Sequence, residues 1–127
     1  MHLLLDTHAF IWFAEDDNNL ASNIKKEIEF PQNTIYLSIA SIWEIAIKMQ
    51  LNKVSMNRSI EEILELTAQS SIEIMPILPE HIIKLTKLDF HHRDPFDRII
   101  IAQGLEENLK IVSKDSIFSS YGVDVIW

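Results

Sequence analysis

The sequence contains no cysteine, which excludes disulfide bonds, thiolate metal sites and a cysteine nucleophile. Nothing therefore indicates an oxidising compartment, and we expect a cytoplasmic protein. Only two glycines are present, and neither a glycine-rich phosphate loop nor a Gly-x-Ser-x-Gly nucleophile elbow occurs. No low-complexity linker or repeat divides the 127 residues, so a single domain over residues 1–127 is predicted.

Basic residues are also scarce, with 11 lysines and arginines against 19 acidic residues and a net charge of -8. This is the wrong sign for a protein that binds nucleic acid through its overall charge, so any such contact must be local. The acidity would attract divalent cations or a basic partner, although a solvated acidic surface explains it equally well.

Long apolar runs are missing as well. The apolar start of the chain is interrupted by Asp6 and has no basic residues before it, so it does not fit a signal peptide. The run Thr34–Trp43 is about half of the ~20 residues that a membrane span requires. No association with a membrane is expected.

Five short runs rich in branched aliphatic residues predict β-strands. They are His2–Leu5, Thr34–Ser38, Ile72–Ile77, Lys110–Ser113 and Val123–Ile126. Several are continuously apolar, as in a parallel sheet covered on both faces. Helical patterns separate them, with signals such as the Ser59/Glu62 capping box and first-turn prolines at Pro79 and Pro95. The alternation predicts one α/β domain with a central parallel sheet of about five strands and helices on both faces.

Four acidic residues lie where such a sheet would bring them together. Asp6 ends the first strand run, and Asp115 follows the fourth. Glu44 lies in the helix after the second strand, and Asp97 in the first turn of the helix before the fourth. Because ligands of open parallel sheets bind outside the carboxyl ends of the strands, we expect all four at one edge.

Each acid taken alone also has a structural explanation. Asp6 and Asp115 fit helix N-caps, and Asp94, which precedes Pro95, fits another. The segment 41–48 (SIWEIAIK) matches a capping box from its first serine and a surface ion pair from its glutamate to its lysine.

Asp97 fits a purely structural role least well, since Ile100 and Ile101 at i+3 and i+4 place it on the apolar face of its helix. Two carboxylates ~4 Å apart repel by roughly 4 kcal/mol at an effective dielectric of 20, so four together are tolerated mainly around a cation or with a shared proton. Oxygen ligands without cysteine favour Mg²⁺, with Mn²⁺ as the other choice.

An acidic site of this kind suits metal-assisted hydrolysis of phosphodiesters. Neighbouring basic residues offer local phosphate contacts, although a solvated role fits each equally; they are Lys48, Arg93, Arg98 and Lys114. The histidines lack zinc-motif spacing, so ring packing or substrate contact is expected of them rather than metal ligation.

Several segments taken together resemble one subgroup of the PIN-domain VapC toxins. Each motif alone is loose, but their order and spacing are specific and the match covers nearly the whole chain. The segments are 4–9 (LLDTHA), 41–48 (SIWEIAIK), 91–98 (HHRDPFDR), 101–103 (IAQ), 113–115 (SKD) and 121–127 (YGVDVIW).

The resemblance implies a small α/β PIN fold, Mg²⁺-dependent endoribonuclease activity on RNA, frequent homodimers and inhibition by a cognate antitoxin. The net charge of -8 favours a basic inhibitory segment in that antitoxin. By position, the resemblance assigns catalysis and metal binding to four acids, here called the acidic quartet: Asp6, Glu44, Asp97 and Asp115. Thr7 matches the small hydroxyl residue that follows the first acid, and Asp94 is an additional acid of the subgroup that either contacts the metal or only caps its helix. Arg98, beside Asp97 in the sequence, is a further candidate auxiliary residue.

Other phosphate-handling folds fit less well. A phosphate-accepting receiver domain needs an aspartate ending its middle strand, where residues 74–78 read IMPIL. A phosphatase of the haloacid-dehalogenase type needs a second aspartate two residues after the first, where His8 stands. The remaining alternative is a non-catalytic module of the same fold that binds a protein or RNA partner, and metal-dependent cleavage would distinguish it.

Overall fold

The computed structural model describes all 127 residues. Its strands are β1 His2–Leu5, β2 Thr34–Ser38, β3 Ile72–Met75, β4 Lys110–Val112 and β5 Val125–Ile126. Its helices are α1 Thr7–Ala14, α2 Ser22–Glu29, α3 Ile39–Gln50, α4 Ile60–Gln69, α5 Pro79–Thr86 and α6 Pro95–Glu106, and a 3₁₀ helix spans Ser116–Tyr121. No helix is long and apolar enough to cross a membrane.

The five strands form one parallel sheet in the order β3-β2-β1-β4-β5. The predicted parallel sheet is therefore confirmed. The connection that leaves β1 runs toward β2, whereas the one that leaves β4 runs toward β5 on the other side. Because the two connections diverge, a crevice opens at the carboxyl ends of β1 and β4.

Three strands are shorter than predicted. Strand β3 ends at Met75 rather than Ile77, because Pro76 has no N–H to continue the pairing. Strand β4 ends at Val112, and β5 begins only at Val125. These shifts leave the carboxyl edge of the sheet where the sequence predicts it.

Both faces of the sheet are covered, as predicted. On one face Leu3 and Leu5 pack in a cluster with Phe10 of α1 and Ile45 of α3. On the other face Leu4 packs in a cluster with residues of α6 and β4. All three leucines of β1 are fully buried, and burial of each such side chain is worth about 1.5–3 kcal/mol. The strand that carries Asp6 at its end is thus firmly held.

The N-cap of α3 lies three residues before the predicted cap, Ser41. Ser38 is the N-cap, its Oγ accepting from the Ala40 N–H at 3.1 Å, so the predicted capping box starting at Ser41 is wrong. The cause is that β2 runs directly into α3 without a loop. The capping box of Ser59 and Glu62 is confirmed at the start of α4.

Candidate active site

Asp6 and Asp115 lie at the crevice between β1 and β4. Asp6 is 5% exposed, and its Oδ1 accepts from the Ala9 N–H at 2.7 Å, which caps α1. Asp115 is exposed and accepts from the Ile117 N–H at 3.0 Å, which caps the 3₁₀ helix. Burial raises the pKa of Asp6; the nearby charge of Asp115 adds to the rise, whereas the Ser113 hydroxyl opposes it. The two predicted caps are confirmed, and they bring two carboxylates together.

A pocket of about 300 Å³ opens between these two acids. It is also lined by His8, Trp12 and Lys114, and the Lys114 Nζ lies 5.8 Å from the centre of the Trp12 ring. A larger cavity of about 530 Å³ lies elsewhere and includes none of the acidic quartet. The smaller pocket is therefore the one that combines carboxylates with a cation and an aromatic surface.

Glu44 projects from α3 and is 3% exposed. Its Oε2 accepts from the Lys48 ammonium at 2.7 Å, so the predicted ion pair is confirmed, although the glutamate end is buried rather than at the surface. Its Oε1 is buried and has no hydrogen-bond partner. Burial of a carboxylate oxygen without a hydrogen-bond partner costs free energy, so binding of a cation or a donor at this atom would be favourable.

Asp97 is half-buried in the first turn of α6. Burial, and next the charge of Asp94, raises the pKa of Asp97 to about 6; a hydrogen bond from His92 opposes the rise and the charge of Glu44 adds to it. Asp94 itself is exposed and caps α6, accepting from the N–H groups of Phe96 and Asp97 at 2.9 and 3.1 Å. Asp97 is thus a carboxylate held near other negative charge.

Contacts between helices hold these elements together. The Thr7 hydroxyl donates to the buried Ser41 Oγ at 3.0 Å, which joins the start of α1 to α3. The rings of Trp43 and Phe96 meet edge to face with centres 5.3 Å apart, which joins α3 to α6. Thr7, expected as an auxiliary residue, therefore lies beside Asp6 and is buried in the joint between helices.

The structure relates the acidic quartet as two pairs of neighbouring charges, Asp6 with Asp115 and Glu44 with Asp97, and these do not form a ready-made ion site. The structure has no group of three or more histidine, aspartate or glutamate side chains close enough to hold a metal ion. Each carboxylate instead bonds a donor of the chain: a backbone N–H for Asp6 and Asp115, Lys48 for Glu44 and His92 for Asp97. Mutual repulsion of bare carboxylates accounts for this dispersed arrangement.

The residues nevertheless fit a hard divalent cation. All the ligating atoms that the quartet offers are oxygens, as Mg²⁺ and Mn²⁺ prefer. The Glu44 Oε1 lacks any partner, and burial, to which nearby negative charge adds, raises the pKa of both Asp6 and Asp97. A bound cation would offset the repulsion between neighbouring acids such as Asp94 and Asp97.

Arg98, expected as an auxiliary residue and a local phosphate contact, is held by hydrogen bonds within the chain. It is 5% exposed, and its guanidinium donates to the carbonyls of Asp89 and Leu88 at 2.8 and 3.4 Å and to the Tyr121 hydroxyl at 3.0 Å. It also lies 4.0 Å from the centre of the Phe90 ring. Its donors bind the loop before α6 and the end of the 3₁₀ helix, and a contact with phosphate stays a prediction.

His92, of which ring packing or substrate contact was expected, and Tyr121, for which no role was predicted, lie next to Asp97 and to each other. The His92 Nε2 lies 3.1 Å from the Asp97 Oδ2, and the Tyr121 hydroxyl lies 2.8 Å from the His92 Nδ1. His92 and Asp97 are separated by the turn at Asp94, so no helical periodicity relates them. The signals for His92 were its position just before that turn and its place in the segment 91–98 that resembles the family.

The raised pKa of Asp97 predicts a pH-dependent effect of Asp97→Asn on metal-free protein. Since the folded pKa of about 6 lies above the ordinary aspartate value of 3.8, the stability contributed by this carboxyl is full below about pH 4 and is lost as pH rises through 6. In EDTA we expect Asp97→Asn to be more stable than the wild type at pH 7.5 and to lose this advantage at pH 4.5. Urea unfolding at both pH values measures it, and a pH-independent difference would contradict it.

A comparison with known proteins identifies the family of this chain. The model of the PIN domain family matches residues 3–124, whereas no curated protein matches the sequence. Similar solved structures include VapBC2 from Rickettsia felis bound to a DNA fragment from their promoter (TM-score 0.73, 16% identity, 99% of this chain and 98% of that chain). VapBC-1 from nontypeable Haemophilus influenzae has a TM-score of 0.71 and 14% identity, covering 99% of this chain and 97% of that one. FitAcB from Neisseria gonorrhoeae has a TM-score of 0.67 and 18% identity, covering 98% and 96%.

Identities this low show a shared fold alone. The family model, by contrast, spans nearly the whole chain, from β1 to the residue before β5. The protein therefore belongs to the PIN domain family.

Proposed function

We propose that the protein is the toxin of a type II toxin-antitoxin pair and that it cleaves RNA as a Mg²⁺-dependent endoribonuclease. The observation that carries the proposal is the pair of carboxylates Asp6 and Asp115 at the β1/β4 crevice of a PIN domain, together with a second pair, Glu44 and Asp97, in which the buried Glu44 Oε1 has no partner. The toxin role is supported by solved relatives whose names are those of VapBC complexes.

In this proposal Asp6, Glu44, Asp97 and Asp115 hold the cation, with Mg²⁺ preferred and Mn²⁺ as a substitute. A divalent cation supplies Lewis acidity, which lowers the pKa of water and neutralises charge that develops on the phosphodiester. The Thr7–Ser41 hydrogen bond fixes the approach of α1, which follows Asp6, to α3, which carries Glu44.

The remaining polar groups of the site have separate tasks. Lys114, which lines the pocket beside Asp115, is placed to contact a phosphate of the substrate. Asp94 fixes the start of α6, and therefore the position of Asp97, by capping the helix.

Incubation with a panel of structured and single-stranded RNAs tests the activity. Internal cuts in millimolar Mg²⁺ that disappear in EDTA and return on addition of Mn²⁺ are expected, and a matched DNA panel reports the preference for RNA. Cleavage that persists in EDTA would contradict the metal-dependent mechanism, because the quartet would then act without a cation.

A non-catalytic module that binds a protein or RNA partner is the second candidate. It is favoured by the lack of a ready-made three-residue ion site and by the Lys48 ammonium, which already neutralises Glu44. In that case RNA or partner binding would be the same in Mg²⁺ and EDTA, and no RNA of the panel would be cut.

Mg²⁺ is expected to raise the melting temperature of the protein. A ligand bound only by the folded state stabilises it by about 2.7 kcal/mol at a hundred times its dissociation constant, which corresponds to a rise of several degrees. Scanning calorimetry in Mg²⁺ and in EDTA at matched ionic strength measures the shift. Coincident melting curves would count heavily against the ion site.

The expected partner is a cognate antitoxin with a basic inhibitory segment. The net charge of -8 and the acidic crevice favour an arginine or lysine that enters the site in place of the cation. Isolation of the native complex with a strongly acidic inhibitory segment would overturn this part of the proposal. Light scattering of the purified protein tests the homodimer that the PIN resemblance implies.

A further inference from the structure

A chain of hydrogen bonds connects Asp97 to residues outside the acidic quartet. The His92 Nε2 lies 3.1 Å from the Asp97 Oδ2, and its Nδ1 lies 2.8 Å from the Tyr121 hydroxyl oxygen. The same hydroxyl oxygen accepts from the Arg98 guanidinium at 3.0 Å and from the His92 backbone N–H at 3.2 Å. One phenol thus lies at the centre of three contacts with the neighbourhood of Asp97.

The number of lone pairs on the Tyr121 hydroxyl oxygen determines the direction of its hydrogen bond with the His92 ring. A phenolic oxygen accepts at most two hydrogen bonds, and the Arg98 and His92 backbone donors supply both. The hydroxyl proton must therefore be donated, either to the His92 Nδ1 at 2.8 Å or to the His92 carbonyl at 3.3 Å. The shorter contact identifies Nδ1 as the acceptor.

This direction fixes the tautomer of His92. An Nδ1 that accepts a hydrogen bond carries no proton, so the neutral ring carries its proton on Nε2. That N–H points to the Asp97 carboxylate and donates to Oδ2. No hydrogen bond to the other oxygen, Oδ1, is observed, so one oxygen of Asp97 is held while the other stays available.

We propose that His92 and Tyr121 are positioning residues for the acidic quartet: Tyr121 holds His92 in its Nε2–H tautomer, and His92 holds the Asp97 carboxylate in the orientation needed to bind the cation. The inference rests on the proposed function and deepens it. Hydrogen-bond partners of carboxylate ligands orient them, and their loss typically costs about 10–100-fold in metal affinity or activity.

The surroundings of Tyr121 favour positioning over general packing. Arg98, which donates to the hydroxyl, also donates to two carbonyls of the loop that leads to His92, so loop and phenol are held by one guanidinium. Tyr121 ends the 3₁₀ helix that Asp115 caps. The network therefore connects the segment that carries Asp97 with the segment that carries Asp115.

The tautomer can be measured directly on the metal-free protein at pH 8. Long-range ¹H–¹⁵N spectra of histidine-labelled protein separate the protonated from the unprotonated ring nitrogen. We expect His92 as the Nε2–H form in the wild type and a loss of that preference in Tyr121→Phe. A wild-type Nδ1–H form, or a spectrum unchanged in Tyr121→Phe, would overturn the inference.

Metal affinity and cleavage give the second measurement. Tyr121→Phe is expected to weaken both Mn²⁺ binding and RNA cleavage about tenfold. His92→Leu is expected to weaken both by up to about a hundredfold. His92→Gln should restore much of the loss because its side-chain amide can donate to Asp97. The matched controls are Tyr36→Phe, since no hydrogen bond of the Tyr36 hydroxyl is observed, and His91→Leu, which removes only a ring contact with Tyr121.

Two further measurements distinguish a loss of folding from a loss of metal binding. Urea unfolding in EDTA shows whether each variant folds, and Mn²⁺ titration reports the site without requiring cleavage. If the wild type binds Mn²⁺ but cuts no RNA, the proposed function fails while the positioning test still stands. Equal Mn²⁺ affinity in the wild type, Tyr121→Phe and His92→Leu would overturn the positioning role even if RNA is cut.

Discussion

Asp97→Asn is expected to lower Mg²⁺-dependent RNA cleavage by about a thousandfold, because the change removes a negative charge where the cation binds and cations of this kind contribute several kcal/mol to catalysis. The metal-free variant should be as stable as the wild type or more stable. In the wild type, burial raises the pKa of the Asp97 carboxyl to about 6, so its charge at neutral pH is unfavourable, and asparagine removes that charge. Single-turnover cleavage under saturating Mg²⁺ measures the effect, with urea unfolding in EDTA as the test of folding.

Asp94→Asn is the matched control three residues earlier. Its side chain caps α6 by accepting from two backbone N–H groups, and asparagine caps helices about as well as aspartate. We expect a stability change below about 1 kcal/mol and only a mild loss of activity. The assignment of Asp97 to the metal would be withdrawn if purified Asp97→Asn cleaved RNA at the wild-type rate.

Much of the fold could be predicted from local patterns. Continuous apolar runs such as residues 2–5 are typical of strands buried on both faces, and β1 is indeed fully buried at its three leucines. Strand ends were less certain because they depend on pairing partners: β5 pairs with β4 over two residues only. The start of α3 at Ile39 depends on a direct passage from strand to helix that no local pattern marks.

The site was predictable where a residue's role follows from its place at the end of a strand. Asp6 and Asp115 end adjacent parallel strands, so the sheet alone brings them together. The burial of Glu44 was not predictable, since its spacing to Lys48 is also that of a surface ion pair. Tyr121 lies 29 residues from His92, and only the folded chain brings the two rings into contact.

The pairing of Glu44 with Lys48 leads to the second large effect. Lys48→Met removes the only partner of a carboxylate that is 3% exposed and leaves both of its oxygens without a donor. Loss of one partner from a fully buried ion pair costs 3–5 kcal/mol, and because the lysine side chain is 34% exposed we expect about 2 kcal/mol here. In EDTA the melting temperature should fall by about 5 °C or more.

Mg²⁺ is then expected to stabilise Lys48→Met more than it stabilises the wild type. The ammonium and the cation compete for the same carboxylate, so removing the ammonium strengthens cation binding and adds to the rise in melting temperature. Lys84→Met is the control, because Lys84 forms an exposed pair with Glu106 at 3.8 Å whose loss should cost less than about 1 kcal/mol and leave the Mg²⁺ response unchanged. Glu44→Gln combined with Lys48→Met should recover stability in EDTA and lose the enhanced response. If Mg²⁺ raises the melting temperatures of Lys48→Met and the wild type equally, Glu44 does not bind the cation. The ligands would then be Asp6, Asp97 and Asp115 alone.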